Sequence, residues 1–186
     1  RKKAAEEFTA KIQEELQFLD MSAVRFLPVF REKALSSLGM DDFELQVSTN
    51  VGEEPKPLAK IASGGELSRI MLAMKNVLSD RDNVDTMIFD EIDTGVSGRA
   101  AQKIGRKLHE VSAGRQVICV THLAQVAAYA DHHLLISKKV RDGKTFTSVE
   151  SLSEEERTQE LARIMGGDVI TPATLSAAAE LLEKSR

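Results

Sequence analysis

Between residues 84 and 120 the chain sets a mainly apolar run (84–89, with Asp85 and Thr86 inside it), an amphipathic stretch (100–111) and a second apolar run (116–120) in that order. Two short apolar runs joined by a helix-length amphipathic segment read as parallel strands with a crossover helix, because a tight turn cannot link parallel neighbours. Parallel strands are covered on both faces, so their runs are apolar throughout instead of alternating. The pattern predicts an α/β fold, a parallel-sheet core flanked by helices. With 186 residues the chain has the size of one domain.

Ahead of that core, Ala5, Phe8, Ile12 and Leu19 fall on an a/d-like seam interrupted by Glu15 beside Leu16. The seam reads as a surface helix packed on its own domain or, the reading preferred here, as the end of a coiled-coil arm. Residues 22–38 are expected to continue as helix around Pro28 and to close at Gly39. Residues 1–38 then form an N-terminal helical coiled-coil stub, and 39–186 form the lobe proper. Phe43, Leu45, Val47 and Thr49 alternate with polar residues, the period of a half-buried strand. Residues 51–60, with Gly52, Pro55 and Pro57, read as loop. Helical patterns follow over 65–78 and 123–129, then a strand over 134–136 and a hairpin over 140–149 turning at Asp142-Gly143. Two helices, 154–165 and 173–183, are separated by Gly166-Gly167 and Pro172.

Composition excludes several functions. A net charge of −4 argues against a chain that works mainly as a basic clamp. Aromatics at 4% with no Trp argue against a platform of stacked bases. The single Cys rules out an internal disulfide framework and a multi-cysteine zinc site. No apolar run approaches the roughly 18 residues of a membrane span, and Arg1-Lys2-Lys3 leads into Ala-Glu-Glu instead of a signal h-region. The expectation is a soluble, cytoplasmic chain with no membrane partner.

Three motifs carry chemistry. Thr86-Met87-Ile88-Phe89-Asp90-Glu91 ends a buried strand in two carboxylates, at the sheet edge where α/β folds bind ligands. Such a pair suits a magnesium-nucleotide complex: the first acid holds Mg²⁺ through water and the second polarises an attacking water. The plain alternative is a strand that ends in a solvated turn. Upstream, Ala62-Ser63-Gly64-Gly65-Glu66-Leu67 opens a helix. Ser63 can cap it, and the glycines let a phosphate approach the free amides at its positive end; a glycine-rich cap without a ligand is the alternative. Downstream, His122 lies just past the second apolar run, where a lone histidine is more often structural than catalytic. All three in this order coincide poorly by chance.

In these residues the chain resembles the ATP-binding-cassette ATPase superfamily. Ser63-Gly64-Gly65-Glu66 matches its signature motif, Asp90-Glu91 its Walker B pair, residues 92–98 its D-loop and His122 its switch histidine. The longer stretches Ala62 to Arg69, Phe89 to Gly98 and Thr121 to Ala127 are similar to bacterial DNA-repair members of the SMC-like branch, and the likeness runs from residue 47 to 167. Transporter cassettes usually carry Pro-Thr after the acids; Ile92-Asp93 departs from that. The resemblance implies the C-terminal lobe of an ABC/SMC-type P-loop ATPase head, a half-site for ATP and Mg²⁺ in double-strand-break repair. By the same resemblance Asp90 helps hold Mg²⁺, Glu91 is the base that orients water, and His122 senses the γ-phosphate. Ser63, Gly64, Gly65 and Glu66 meet the phosphates of ATP held by the other subunit, and Asp93 and Ser97 belong to the D-loop at the same site. The implied partners are the chain's own N-terminal P-loop lobe, a second head in an ATP-dependent homodimer, and DNA in the nucleoid.

A P-loop requires Gly-x-x-x-x-Gly-Lys-[Ser/Thr]. The chain's one Gly-Lys-Thr is Gly143-Lys144-Thr145, with Lys138 where the first glycine belongs, and it reads as a hairpin. The expectation is a lobe cut away from its P-loop partner, inactive alone and binding neither ATP nor Mg²⁺ tightly. Cys119 reads as packing. His132 and His133, adjacent in an apparent strand, point to opposite faces and do not share a metal. Arg69 is either a surface ion-pair partner, which is favoured, or a cation facing phosphate. Lys138, Lys139, Arg141 and Lys144 form the densest basic cluster and the candidate DNA contact. Competing readings are a non-catalytic dimerisation module, the head lobe of another SMC-type chromosome protein, and a soluble translation-type cassette.

Overall fold

The computed structural model describes residues 1–61, 63–79 and 83–185. Ala62, the first residue of the signature stretch, lies outside them, as does the side chain of Arg141. Two compact units emerge, one of Arg1–Gly95 with Glu110–Val120 and one of Val96–His109 with Thr121–Arg186.

In the first unit, helix α1 (Lys2–Phe18) packs on strand β1 (Arg25–Ser36) and helix α2 (Gly64–Val77). Its seam of Ala5, Ile12 and Leu16 is buried, with Leu19 buried just beyond the helix end. Leu16 therefore belongs to the seam, and Glu15 does not break it.

Residues 22–38 are not helix. β1 pairs antiparallel with β2 (Gly39–Ser48) from Arg25↔Ser48 to Glu32↔Asp41. Phe26, Pro28 and Phe30 share one face and Leu27 and Val29 the other, a period of two that Pro28 obscures in the sequence. Proline is tolerated because β1 is the edge of a three-stranded sheet, β1-β2-β3, whose third member is the short β3 (Lys56–Pro57). The Phe30 and Phe43 rings, opposite each other in register, lie 5.1 Å apart. Gly39 does not cap a helix; its φ of 96° serves the turn between β1 and β2. The expected boundary between 38 and 39 thus falls inside one hairpin. The segment 51–60 holds β3 and a 3-10 turn (Leu58–Lys60) besides loop.

The parallel core is the pair β4 (Thr86–Phe89) and β5 (Gln116–Cys119), in register from Thr86↔Gln116 to Phe89↔Cys119. One face buries Met87 and Phe89, while on the other Ile88 is 69% exposed and Ile118 42%. A parallel sheet with one bare apolar face departs from the rule that both faces are covered.

Helix α3 (Gly98–Ser112) runs in the second unit as far as His109. There a Cβ on Gly105 would lie 3.0 Å from the Gln125 carbonyl oxygen and against the Tyr129 ring. Glycine is what lets α3 approach the short helix α4 (Ala124–Ala127) so closely. Ala124, Ala127 and Ala128 share a core with Leu161 and Ala162 of helix α5 (Glu154–Gly166) and Ala178 and Leu182 of helix α6 (Pro172–Lys184). Capping boxes at Ser153/Glu156 and Thr171/Thr174 start the last two helices. Strands β6 (Leu134–Arg141) and β7 (Lys144–Ser151) form a two-stranded antiparallel sheet of their own. The strand expected at 134–136 and the hairpin expected at 140–149 are one continuous ribbon. It turns at Asp142 (φ 52°) and Gly143 (φ 72°), the left-handed pair of a two-residue hairpin turn. Gly143-Lys144-Thr145 is therefore a turn and the start of a strand.

Candidate functional site

Ser63 stands in extended conformation (φ −92°, ψ 116°), and its hydroxyl accepts the Glu66 N–H at 3.4 Å, the N-cap of α2. Gly64 and Gly65 form the first turn, and Gly65 is the one hemmed in by backbone. A Cβ on Gly64 would collide with the Glu91 carboxylate. One on Gly65 would sit 3.0 Å from both the Glu91 carbonyl oxygen and the Thr94 Cβ. The signature turn and the acid pair of one chain are thus brought together. Glu91 places an anion at the positive end of α2, the type of group that end favours.

The acids are delivered by the parallel pair. The Phe89 carbonyl accepts the Val120 N–H at 2.9 Å, and the chain leaves the sheet at Asp90. Asp90 Oδ1 accepts the Glu91 N–H at 2.8 Å. Glu91 has φ 57°, a left-handed conformation uncommon for non-glycine residues, which costs on the order of 1 kcal/mol and needs support from its surroundings. That support comes from α2. Ser68 donates its hydroxyl to the Asp90 carbonyl at 2.9 Å. Arg69 Nη1 donates to the Ile92 carbonyl at 3.1 Å and to the Thr94 carbonyl at 2.9 Å.

Arg69 corrects the expectation, because it neither pairs at the surface nor faces open solvent. It is 8% exposed and ties the loop after the acids to the signature helix. Burial lowers its pKa while the Glu66 and Asp93 carboxylates oppose that shift; an arginine stays charged under such pressure. Arg69 lies one helical turn beyond the buried Gly65 and faces the same way, a placement that is read only once the burial of Gly65 is known.

The other predicted residues are distributed as follows. Asp93 is 3% exposed and Ile92 is fully buried, so the stretch 92–98 likened to a D-loop begins inside the core. Burial, with Asp93 and Asp90 nearby, pushes the Cys119 thiol up to about 12, which suits packing and not nucleophilic chemistry. Ser97 and His122 belong to the second unit, and both are exposed. His132 and His133 lie ahead of β6 and not within it; burial, then Arg157, lowers the pKa of the half-buried His133. Among the described residues no three His, Cys, Asp or Glu side chains could hold a metal together. Magnesium bound with a nucleotide takes one or two carboxylates and fills its shell with phosphates and water, a demand that adjacent acids at a strand end meet.

No protein-family model matches the chain. It is 49% identical over 188 residues to the DNA repair protein RecN of Halalkalibacterium halodurans, covering 98% of this chain and 33% of that protein. RecN of Bacillus subtilis is 51% identical over 151 residues, covering 81% of this chain and 26% of that one. RecN of Treponema pallidum is 42% identical over 189 residues. The chain spans about one third of the length of the first and third of these relatives. Among solved structures it is similar to the Smc head domain with a coiled coil and joint from Pyrococcus yayanosii, with a TM-score of 0.60, 22% identity and coverage of 88% of this chain and 30% of that one. It is also similar to an Smc head domain from Pyrococcus furiosus with an extended coiled coil, bound to the C-terminal domain of ScpA, with a TM-score of 0.57, 23% identity and coverage of 88% and 39%. The fold is thus that of an SMC head domain, and with identities of 42–51% to these relatives the chain belongs to the RecN family of DNA repair proteins.

Proposed function

We propose that the chain is the C-terminal lobe of an SMC-like DNA-repair ATPase, supplying half of an ATP site completed by a P-loop lobe and by a second head. The observation that carries this reading is the clamp of α2 onto the acid-bearing loop. Ser68 and Arg69 fix the backbone from Asp90 to Thr94, so a ligand at the signature turn and the acids move as one body. Helix α1 leads into the lobe from a coiled-coil arm, a part the Pyrococcus yayanosii head also carries.

Asp90 is the residue for Mg²⁺, which when bound neutralises charge on the phosphates. Glu91 is the general base: its carboxylate accepts a proton from the attacking water and orients it toward the γ-phosphate. To do so it leaves Gly64, and the amides it vacates at the start of α2 then receive the phosphates of ATP held by the partner head. His122 contacts the γ-phosphate, and Asp93 and Ser97 shape the D-loop. Double-strand-break repair in the bacterial cytoplasm is the setting.

Ser63→Arg tests the composite site in the complete protein. A long side chain at the cap blocks approach of a phosphate, while loss of the cap costs the helix only about 1 kcal/mol. ATP-driven association, followed by sedimentation with and without nucleotide, disappears while the lobe stays folded. Equal ATP-dependent dimer formation by variant and wild type removes Ser63 from the site and with it the shared-site reading.

A further inference from the structure

The β6–β7 ribbon carries charge opposite to that of the chain. Residues 138–145 hold Lys138, Lys139, Arg141 and Lys144 against the single acid Asp142, whereas the whole chain nets −4. The register sorts them by face. Lys139 pairs with Phe146 and Arg141 with Lys144, so these positions share one face at the tip. Lys139 and Lys144 are exposed, and Phe146 is 54% exposed between them. The acid of this face, Glu150, pairs with Leu135 at the base of the ribbon, away from the tip, and binds Ser148 at 3.3 Å. Ile136, Val140 and Val149 occupy the opposite face with Lys138, apart from the cationic surface.

The shape matters as much as the charge. Each strand has eight residues, and eight residues of strand extend about 26 Å. A two-stranded ribbon is one of the two elements that the DNA major groove admits. Lysines give point charges suited to phosphates, and such contacts carry affinity without reading sequence.

We propose that the tip of the β6–β7 ribbon is a contact surface for the phosphate backbone of duplex DNA, with Lys139 and Lys144 neutralising phosphates and Phe146 lying against the sugars. The choice of DNA among polyanions rests on the DNA-repair reading above.

The test uses the complete protein that carries this segment, with Lys139→Ala/Lys144→Ala and the charge-keeping Lys139→Arg/Lys144→Arg. Fluorescence anisotropy follows a mixed-sequence duplex between 50 and 200 mM salt, conditions over which phosphate contacts lose affinity steeply, by a slope of about 0.9 per contact. The alanine variant binds about tenfold more weakly at low salt, with a log–log slope shallower by about 2, and the arginine variant keeps both. An unchanged slope in the alanine variant overturns the proposal, as does a wild type that binds no duplex. Binding to phosphatidylserine vesicles, lost in the alanine variant while DNA binding is kept, assigns the tip to membranes and overturns it too. ATP-driven association measured on the same samples stays at the wild-type level. If wild type itself fails to associate, the ATP-site reading fails while the salt slopes still decide the ribbon.

Discussion

The carboxylate of Glu91 lies where a Cβ on Gly64 would be, and a Cβ on Gly65 would press on the Glu91 carbonyl oxygen and Thr94, so glycine at position 65 lets the signature turn and the acid-bearing loop approach within one chain. Glu91 is held in a left-handed backbone conformation, which suits the proposed base that must reach water and still be kept in place. Glu91→Gln in the complete protein keeps the shape but gives a poor base. Turnover should fall by about 10²-fold or more in kcat while ATP still binds. Steady-state hydrolysis beside equilibrium binding checks this, and near wild-type turnover would take the role from Glu91. Arg69→Ala strands two carbonyls at once. Charge-assisted bonds of this kind contribute about 1.5–3 kcal/mol each, and the losses are not additive, so a destabilisation of about 3 kcal/mol is expected in urea unfolding of the chain. A loss below about 0.5 kcal/mol, the range of ordinary surface substitutions, would show that Arg69 is not a strut. Ser63, Gly64, Gly65, Asp90 and Glu91 were legible in the sequence because their types and order are unusual. Arg69 was not, because its partners are backbone carbonyls that come within reach only after Glu91 turns left-handed.

At the scale of elements, legibility followed the strength of the local period. α2, β4, α3 and β5 each sit within two residues of their expected limits, because long apolar runs and a clean helical face leave few alternatives. β1 was misread as helix for a specific reason. Pro28 divides Phe26–Phe30, and an edge strand can hide a proline where an inner strand cannot. The β6–β7 ribbon was read as two pieces because Lys138 and Lys139 interrupt its alternation near the tip, where solvent and not a core sets the side chains. The start of α5 shows local chemistry deciding a boundary. The Ser153 hydroxyl accepts the Glu156 N–H at 3.3 Å, and the Glu156 carboxylate accepts the Ser153 N–H at 2.8 Å. Ser153→Ala removes the hydroxyl arm of that reciprocal cap, leaving the backbone N–H of residue 153 on the Glu156 carboxylate, and should cost about 1 kcal/mol. A thermal melt of the chain detects a loss of that size as a shift of a few degrees. No shift would mean that α5 is held by Leu161 and Ala162 in the core alone.

The molecule as a whole is defined by what its parallel pair leaves bare. Ile88 and Ile118 stand side by side on a face where a parallel sheet normally carries a second layer. Exposed apolar surface of this kind marks a place of contact, and the proposed P-loop lobe is the partner that both covers it and brings the missing phosphate cradle. On the proposed reading the 186 residues supply a helix start for the far side of the nucleotide and an acid for its water. They contain no Gly-x-x-x-x-Gly-Lys segment, whose amides and lysine hold the β- and γ-phosphates. The isolated chain should therefore hydrolyse ATP no faster than buffer and bind it more weakly than micromolar, whereas the chain co-expressed with the P-loop lobe should bind ATP. A dye that fluoresces on apolar surfaces should report the same division, bright on the chain alone and quenched once the lobes are joined. Calorimetry on the two preparations decides the matter. Micromolar ATP affinity in the isolated chain would mean that the Glu91 carboxylate yields the start of α2 to a phosphate without help, and that the site is complete within these residues.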